Sequence, residues 1–331
     1  MSISIWRAVL RQNFTDWKAL LSFIQLEEAH IDVLKNSKFP LNLPRRLAEK
    51  IAKNTPNDPI LQQFLPVQKE TKISENFVMD PVDDSTFQKQ KKLLKKYHGR
   101  ALLIVTSACA MNCRFCFRQN FDYQTEDKLF DKEIEEIRQD PSITEIILSG
   151  GDPLSWSNKQ LSDLFQRLSS ISHLKRLRFH TRFPIGIPER IDAGFLNLLA
   201  STKLQIFFII HSNHPKELDE DVLAAMKQIQ FLGIPVLNQN VLLRGVNDDL
   251  ETLSELYQKM IDHGILPYYL HQLDRVQGAA HFEVSEEKGL ELIRQLNTRL
   301  SGYGVPKYVK EIPGEESKTG IQVGAYTNPQ K

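Results

Sequence analysis

The chain has 331 residues, 41% hydrophobic and 25% charged, the profile of a folded protein large enough to bury a substantial core. A formal net charge of +1 excludes the long-range field of a nucleic-acid or anionic-membrane binder and points to small-molecule partners. The opening MSISIWRAVLRQNFTDW has no continuous apolar core, and no window approaches about 18 uninterrupted apolar residues, so a cytoplasmic location is expected.

The first 50 residues read as short amphipathic helical pieces such as DWKALLSFIQLEEAHIDVLK, without catalytic residue types. Pro56, Pro59 and Pro66 then forbid a long helix and predict an extended arm. In KQKKLLKKYHGR, Lys91, Lys92, Lys95 and Lys96 recur at helical spacing and predict a helix whose basic face is solvated or touches a cofactor phosphate. This organisation assigns residues 1–95 to a helical region with its arm and residues 96–331 to the main domain. Runs rich in apolar, β-branched and aromatic residues follow: ALLIVTS, EIILSG, RLRFHTR, LQIFFIIH, PVLNQNVLL and LPYYLHQLD, starting at 101, 145, 176, 204, 235 and 266. Between them NKQLSDLFQRLSS, KELDEDVLAAMKQIQF and DDLETLSELYQKMIDHG carry helical periodicity. Alternation of this kind means an α/β fold with a parallel sheet. An open doubly wound sheet also fits, but the strands end in Ser107, Gly150-Gly151-Asp152, Arg182, His211, Asn240 and Asp274. Polar groups at successive strand ends favour a partial (β/α)6 barrel with its site on the C-terminal rim.

All three cysteines lie in one loop after the first of these strands, as Cys109-x3-Cys113-x2-Cys116. Three thiolates on a short loop can converge on one centre, and soft thiolates select zinc, copper(I) or an iron-sulfur cluster. Buried thiols without a ligand and a zinc site completed by a distant histidine are the alternatives; zinc spacings are usually paired, which favours the cluster. Three cysteines on a four-iron cluster would leave one iron open, as a catalytic metal site requires.

CxxxCxxC with an aromatic, Phe115, before the last cysteine resembles the signature of radical S-adenosylmethionine enzymes. The resemblance implies a partial barrel, a 4Fe-4S cluster on Cys109, Cys113 and Cys116, and S-adenosylmethionine chelating the open iron as the source of a deoxyadenosyl radical. LSGGDPL at the end of the second strand resembles the family's glycine-rich turn. There Gly150 and Gly151 would let backbone approach the cofactor closely, and Asp152 would accept from its ammonium.

From about residue 55 onward the chain resembles the lysine 2,3-aminomutase family, in NDPILQQFLP, KYHGRALLIVTSACAMNCRFCFR, LSGGDPL, FHTRFPIGIPERI, NHPKEL, LNQNVLLRGVND, LPYYLHQLDRVQGAAHF and EIPGEESKTG. The resemblance implies pyridoxal 5'-phosphate as a further cofactor, held covalently by Lys318. It implies that Arg118 pairs with the carboxylate of a free L-lysine substrate and that Asp274 and Glu311 receive its far ammonium. Arg182 and Arg100 become candidates for the cofactor phosphate, and His211, Asn238 and Gln239 for contacts to either cofactor. The short form of the chain resembles the branch that converts (S)-α-lysine to (R)-β-lysine for β-lysylation of elongation factor P by a separate lysyl-tRNA-synthetase-like ligase. A flavodoxin or ferredoxin would be the electron donor. A metabolic 2,3-aminomutase is the alternative within the family, and a non-catalytic iron-sulfur or zinc module that senses redox state is the alternative of another class.

Overall fold

The computed structural model describes residues 4–123 and 129–322. The six apolar runs are strands: β3 (Arg100–Thr106), β4 (Glu145–Gly150), β5 (Arg176–Thr181), β6 (Gln205–Ile210), β7 (Val236–Val241) and β8 (Leu266–His271). Two short strands precede them, β1 (Gln88–Gln90) and β2 (Leu93–Leu94), and two follow, β9 (Lys307–Lys310) and β10 (Thr319–Gly320). All ten form one sheet in sequence order, parallel from β3 through β9 and antiparallel at both ends. The sheet does not close, and it is α/β in class, with a helix in every crossover between β3 and β9.

Those helices begin where the chain leaves the rim, and side chains cap several of them. Ser157 and Gln160 form a capping box on Asn158–Ser169, and Asp192, Asp219, Asp249 and Ser285 each accept from a free first-turn N–H. Beneath the rim a single core runs from Trp6 to Tyr308. Phe179 on β5 is fully buried and packs on Phe165, Phe195 and Phe208, tying two crossover helices to the sheet. A smaller apolar cluster that includes Leu273, Val276 and Phe282 packs against Phe115 of the cysteine loop.

Two expectations are corrected. The lysine-rich stretch is the β1–β2 hairpin rather than a helix, because Leu93 and Leu94 are buried and pair with Leu103 and Leu102 on the edge of β3. Lys92, expected on a basic face, is 3% exposed with its ammonium over the Phe130 ring. Secondly, a seventh parallel strand, β9, continues the sheet beyond β8. Gly289 lets its helix press on β9: a Cβ there would lie 2.2 Å from the Tyr308 hydroxyl. That hydroxyl donates to Gln272, just beyond β8, so β8, β9 and their crossover helix are locked together.

Residues 4–85 are short helices, among them Ile5–Leu10, Trp17–Phe23 and Pro59–Phe64, joined by irregular chain. Pro59 opens the last of these at N1, where its missing N–H costs nothing, with Asp58 as the cap. Beyond it the arm crosses the rim, where Val78 bridges Val276 just past Asp274. Among the described residues no helix is long and apolar enough to cross a membrane.

Candidate active site

The C-terminal ends of β3 to β8 and the segment after β9 surround one cavity, into which the cysteine loop and Lys318 both face. The loop is fastened from below by the N-terminal region. Arg114, between the last two cysteines, is 1% exposed; its guanidinium pairs with both carboxylate oxygens of Glu70 and donates to the Phe39 carbonyl and the Ser37 hydroxyl. Asn112 donates to the backbone carbonyls of Asn42 and Pro40, and Asn13 to that of Ala110. This use of residues 13–70 carries no sequence signal, since each contact is a lone polar residue in a loop.

From above, the loop rests on the glycine turn. A Cβ on Gly150, whose φ is +117°, would lie 2.6 Å from the Thr106 carbonyl oxygen, and one on Gly151 would lie 2.4 Å from that of Ala108. The glycines thus admit the backbone that leads into Cys109. Asp152 is corrected: rather than being free for a ligand ammonium, its buried carboxylate accepts from the Thr181 hydroxyl and from the backbone N–H groups of Leu154, Arg182 and Phe183. Burial pushes this carboxyl up to about 6, against the pull of those donors.

Arg182 is also corrected. Its Nη1 lies 2.9 Å from Cys113 Sγ, and its Nη2 donates to Gln63 and to both oxygens of Glu217, which leaves no fork for a phosphate. Asn238 is corrected likewise: it exchanges hydrogen bonds with the Ser212 backbone and stitches β6 to β7, away from the cavity. Arg100 lines the cavity with its guanidinium 4.7 Å from the Tyr97 ring centre.

Gln239 and His211 do face the cavity. The Gln239 amide nitrogen sits 3.2 Å from His180 Nδ1 and 3.0 Å from His211 Nε2. Burial pushes His180 and His271 well below the ordinary histidine range and His211 down to about 3, so this wall is polar and uncharged near neutral pH. His180 Nε2, His271 Nε2 and Gln239 Oε1 are buried with no partner among the described residues, an arrangement that suits a ligand. His180 and His271 were missed in the sequence, although each lies in a strand that ends at this rim.

Charge concentrates near β3 and beyond β9. Arg118 is 7% exposed, with Nε 2.7 Å from Asp84 and Nη1 3.2 Å from the Ser149 hydroxyl. Asp84, on the arm, also binds Lys96 at 2.8 Å; Asp84 was not expected in the site, whereas Lys96 was a candidate for contact with a cofactor phosphate. The Lys318 ammonium is 2.6 Å from Glu311, whose other oxygen accepts from the Tyr97 hydroxyl. Burial alone would raise the Glu311 carboxyl, but Lys318 and these hydrogen bonds hold it below its ordinary value. Asp274 goes the other way: burial, reinforced by Glu311 and resisted by Lys318, pushes it up to about 7.

The cysteines suit a cluster. Burial pushes all three thiols up, Cys109 well above the ordinary value and Cys116 to about 11, so their ionisation calls for a bound cationic centre. Among the described residues no three His, Cys, Asp or Glu side chains converge on one metal position. A four-iron cluster, which gives each thiolate its own iron, does not ask for that convergence. An amine at Lys318, with Lys96 and Arg100 lining the same cavity, likewise suits an aldehyde cofactor bearing a phosphate.

The Radical SAM superfamily model matches residues 103–257. The L-lysine 2,3-aminomutase of Escherichia coli K12 is 41% identical over 324 residues, covering 96% of this chain and 94% of the relative. That of Haemophilus influenzae is 39% identical over 95% of this chain and 94% of its own, and that of Clostridium subterminale 33% over 96% and 77%. The chain therefore belongs to the lysine 2,3-aminomutase family and is an isomerase, which removes the reading as a non-catalytic module. Among solved structures, Streptococcus suis SuiB bound to S-adenosylmethionine aligns with a TM-score of 0.49 at 14% identity, over 66% of this chain and 51% of that one.

The Asp274 carboxyl holds its proton more tightly in the folded chain than in the unfolded one. Its contribution to stability is therefore complete below pH 3.8 and is lost as the pH rises through about 7. Asp274→Asn should gain thermal stability relative to the unsubstituted protein progressively across that window, read by denaturation of the cofactor-free protein. A difference that stays constant with pH would contradict the assignment.

Proposed function

We propose that this chain moves the α-amino group of free lysine to the β-carbon, converting (S)-α-lysine to (R)-β-lysine in the cytoplasm, with a 4Fe-4S cluster, S-adenosylmethionine and pyridoxal phosphate. The observation that carries the reading is that Glu311, with Asp274 close enough to perturb it, already holds a primary ammonium, that of Lys318. While the Lys318 amine holds the cofactor between turnovers, the two acids lack its charge. The ε-ammonium of an incoming lysine can then take that place, whereas an apolar amino acid of similar length would leave both carboxyls without it.

When bound, the cluster and S-adenosylmethionine supply a carbon radical able to take hydrogen from an unactivated carbon, and pyridoxal phosphate supplies a π-system through which nitrogen passes between neighbouring carbons. The chain's residues bind and orient. Cys109, Cys113 and Cys116 hold the cluster on a loop clamped through Arg114. Arg118 lies two residues beyond the last cysteine; Asp84 and Ser149 fix its Nε and Nη1, and its remaining nitrogen, Nη2, receives the substrate carboxylate. Substrate is thereby held beside the radical source at one end and by Asp274 and Glu311 at the other. The neutral His180, His211 and Gln239 offer hydrogen bonds without an acidic proton that would protonate the migrating nitrogen. Lys318 takes the cofactor between turnovers, and Tyr97 steadies Glu311.

The product would be the β-lysine that a lysyl-tRNA-synthetase-like ligase attaches to elongation factor P, with a flavodoxin or ferredoxin as electron donor. This is the branch whose wording the chain resembles in CRFCFR, LPYYLHQLDRVQGAAHF and SKT.

Glu311→Gln keeps the shape of the acid site and removes one charge. A charged hydrogen bond contributes roughly 1.5–3 kcal/mol, so KM for lysine should rise at least about tenfold, measured from initial rates of β-lysine formation; an unchanged KM would contradict the assignment. For the pathway, mass spectrometry of elongation factor P from cells lacking the gene should show the β-lysyl group gone. Unchanged modification would instead assign the enzyme to free-lysine metabolism.

A further inference from the structure

Arg182, just past the end of β5, is 6% exposed, and both terminal nitrogens of its guanidinium are engaged on the chain. One end of its guanidinium, Nη1, donates to Cys113 Sγ at 2.9 Å. The other, Nη2, donates to Glu217 at 3.1 Å from each oxygen and to Gln63 Oε1 at 2.7 Å. Glu217 is fully buried and also accepts from Gln63 Nε2 at 2.8 Å and from the Asn213 backbone N–H. The Asn213 side chain donates to Gln63 Oε1, closing a ring of hydrogen bonds behind the guanidinium. Phe64 and Phe115 lie 5.0 and 5.4 Å from the guanidinium carbon, so the cation is clamped between aromatic rings as well. Among the described residues Cys113 is the one thiol of the three that takes a hydrogen bond from a side chain.

A ligand sulfur that accepts a hydrogen bond from a fixed cation in a dry site carries more negative charge at lower energy. Reducing a cluster adds one negative charge, so such a donor favours the reduced form. A buried carboxylate behind the donor acts in the opposite sense, and its distance from the sulfur, one guanidinium further away, makes it the weaker partner.

We infer that Arg182 sets the reduction potential of the cluster held at Cys113 by donating to that sulfur, and that Glu217 and Gln63 are positioning residues that hold the guanidinium in place. The inference rests on the cluster reading of the three cysteines. The step it concerns is a one-electron reduction: a single electron enters from a low-potential protein donor, or from dithionite in the test, and neither Arg182 nor Glu217 gains or loses a proton. The arrangement gives Arg182 a role in when the radical is made, distinct from the substrate-facing role of Arg118.

The test is a potentiometric titration of the anaerobically reconstituted full chain, followed by the electron paramagnetic resonance signal of the reduced cluster. Arg182→Met should move the midpoint to more negative values, and Glu217→Gln, which leaves the cation in place and removes its counter-charge, to more positive values. Opposite signs from two neighbouring substitutions are not expected of a packing defect. If Arg182→Met fails to fold, Glu217→Gln decides by itself: a positive shift supports the inference and an unmoved midpoint overturns it. Loss of the cluster from both variants, with the unsubstituted chain loaded, also overturns it in favour of a purely structural clamp. An unsubstituted chain that binds no iron would instead refute the cluster reading beneath it.

Discussion

The Asp152 carboxylate organises the rim. By accepting from Thr181, Arg182, Phe183 and Leu154 it makes the ends of β4 and β5 one platform. The adjoining backbone takes the cysteine loop: Gly151 N–H donates to the Thr106 carbonyl at 2.6 Å and Asp152 N–H to that of Ala108 at 2.8 Å. Fixing the Arg182 backbone in turn aims its side chain at Cys113. Without this one buried carboxylate the glycine turn, the thiols and the guanidinium beneath them would have no common frame.

A second constraint is that nearly every charge near the cavity is paired within the chain. Arg114 has Glu70, Arg118 has Asp84, Arg182 has Glu217 and Lys318 has Glu311. Leaving one partner of a buried pair alone costs about 3–5 kcal/mol, so the three arginine pairs are strongly self-enforcing. Two of the four acids, Glu70 and Asp84, come from the region before the first barrel strand. That region therefore takes part in the site: it holds the cysteine loop from below and orients the arginine next to it. The Lys318–Glu311 pair differs in that its cation is the group a cofactor would claim, and the exchange of one ammonium for another is the simplest account of lysine selectivity.

The features legible in the sequence were those with local signatures. Six strands were readable because each is a compact apolar run followed by a polar end, and the three cysteines because their spacing is itself the motif. Arg118, Gly150, Gly151, His211, Gln239, Asp274, Glu311 and Lys318 share one cavity because the parallel topology brings strand ends and their loops to one rim. What escaped was decided by partners distant in the chain. Lys91 to Lys96 show helical spacing, yet the pairing of Leu93 and Leu94 with β3 overrides it. β9 is four residues, KYVK, with one adjacent apolar pair, too short to stand out. Asp152 and Arg182 look available for ligands until Thr181 and Glu217 are seen against them, and nothing around Asp84 signals that it meets Arg118 across 34 positions.

The central claim is that a nitrogen migrates between adjacent carbons of lysine at this rim. Lysine carrying nitrogen-15 on its α-carbon, incubated with the reconstituted and reduced enzyme, tests it directly by mass spectrometry and nuclear magnetic resonance of the product. The label is expected on the β-carbon, and only when S-adenosylmethionine and reductant are both present. Label that remains on the α-carbon, or that moves without S-adenosylmethionine, would contradict it.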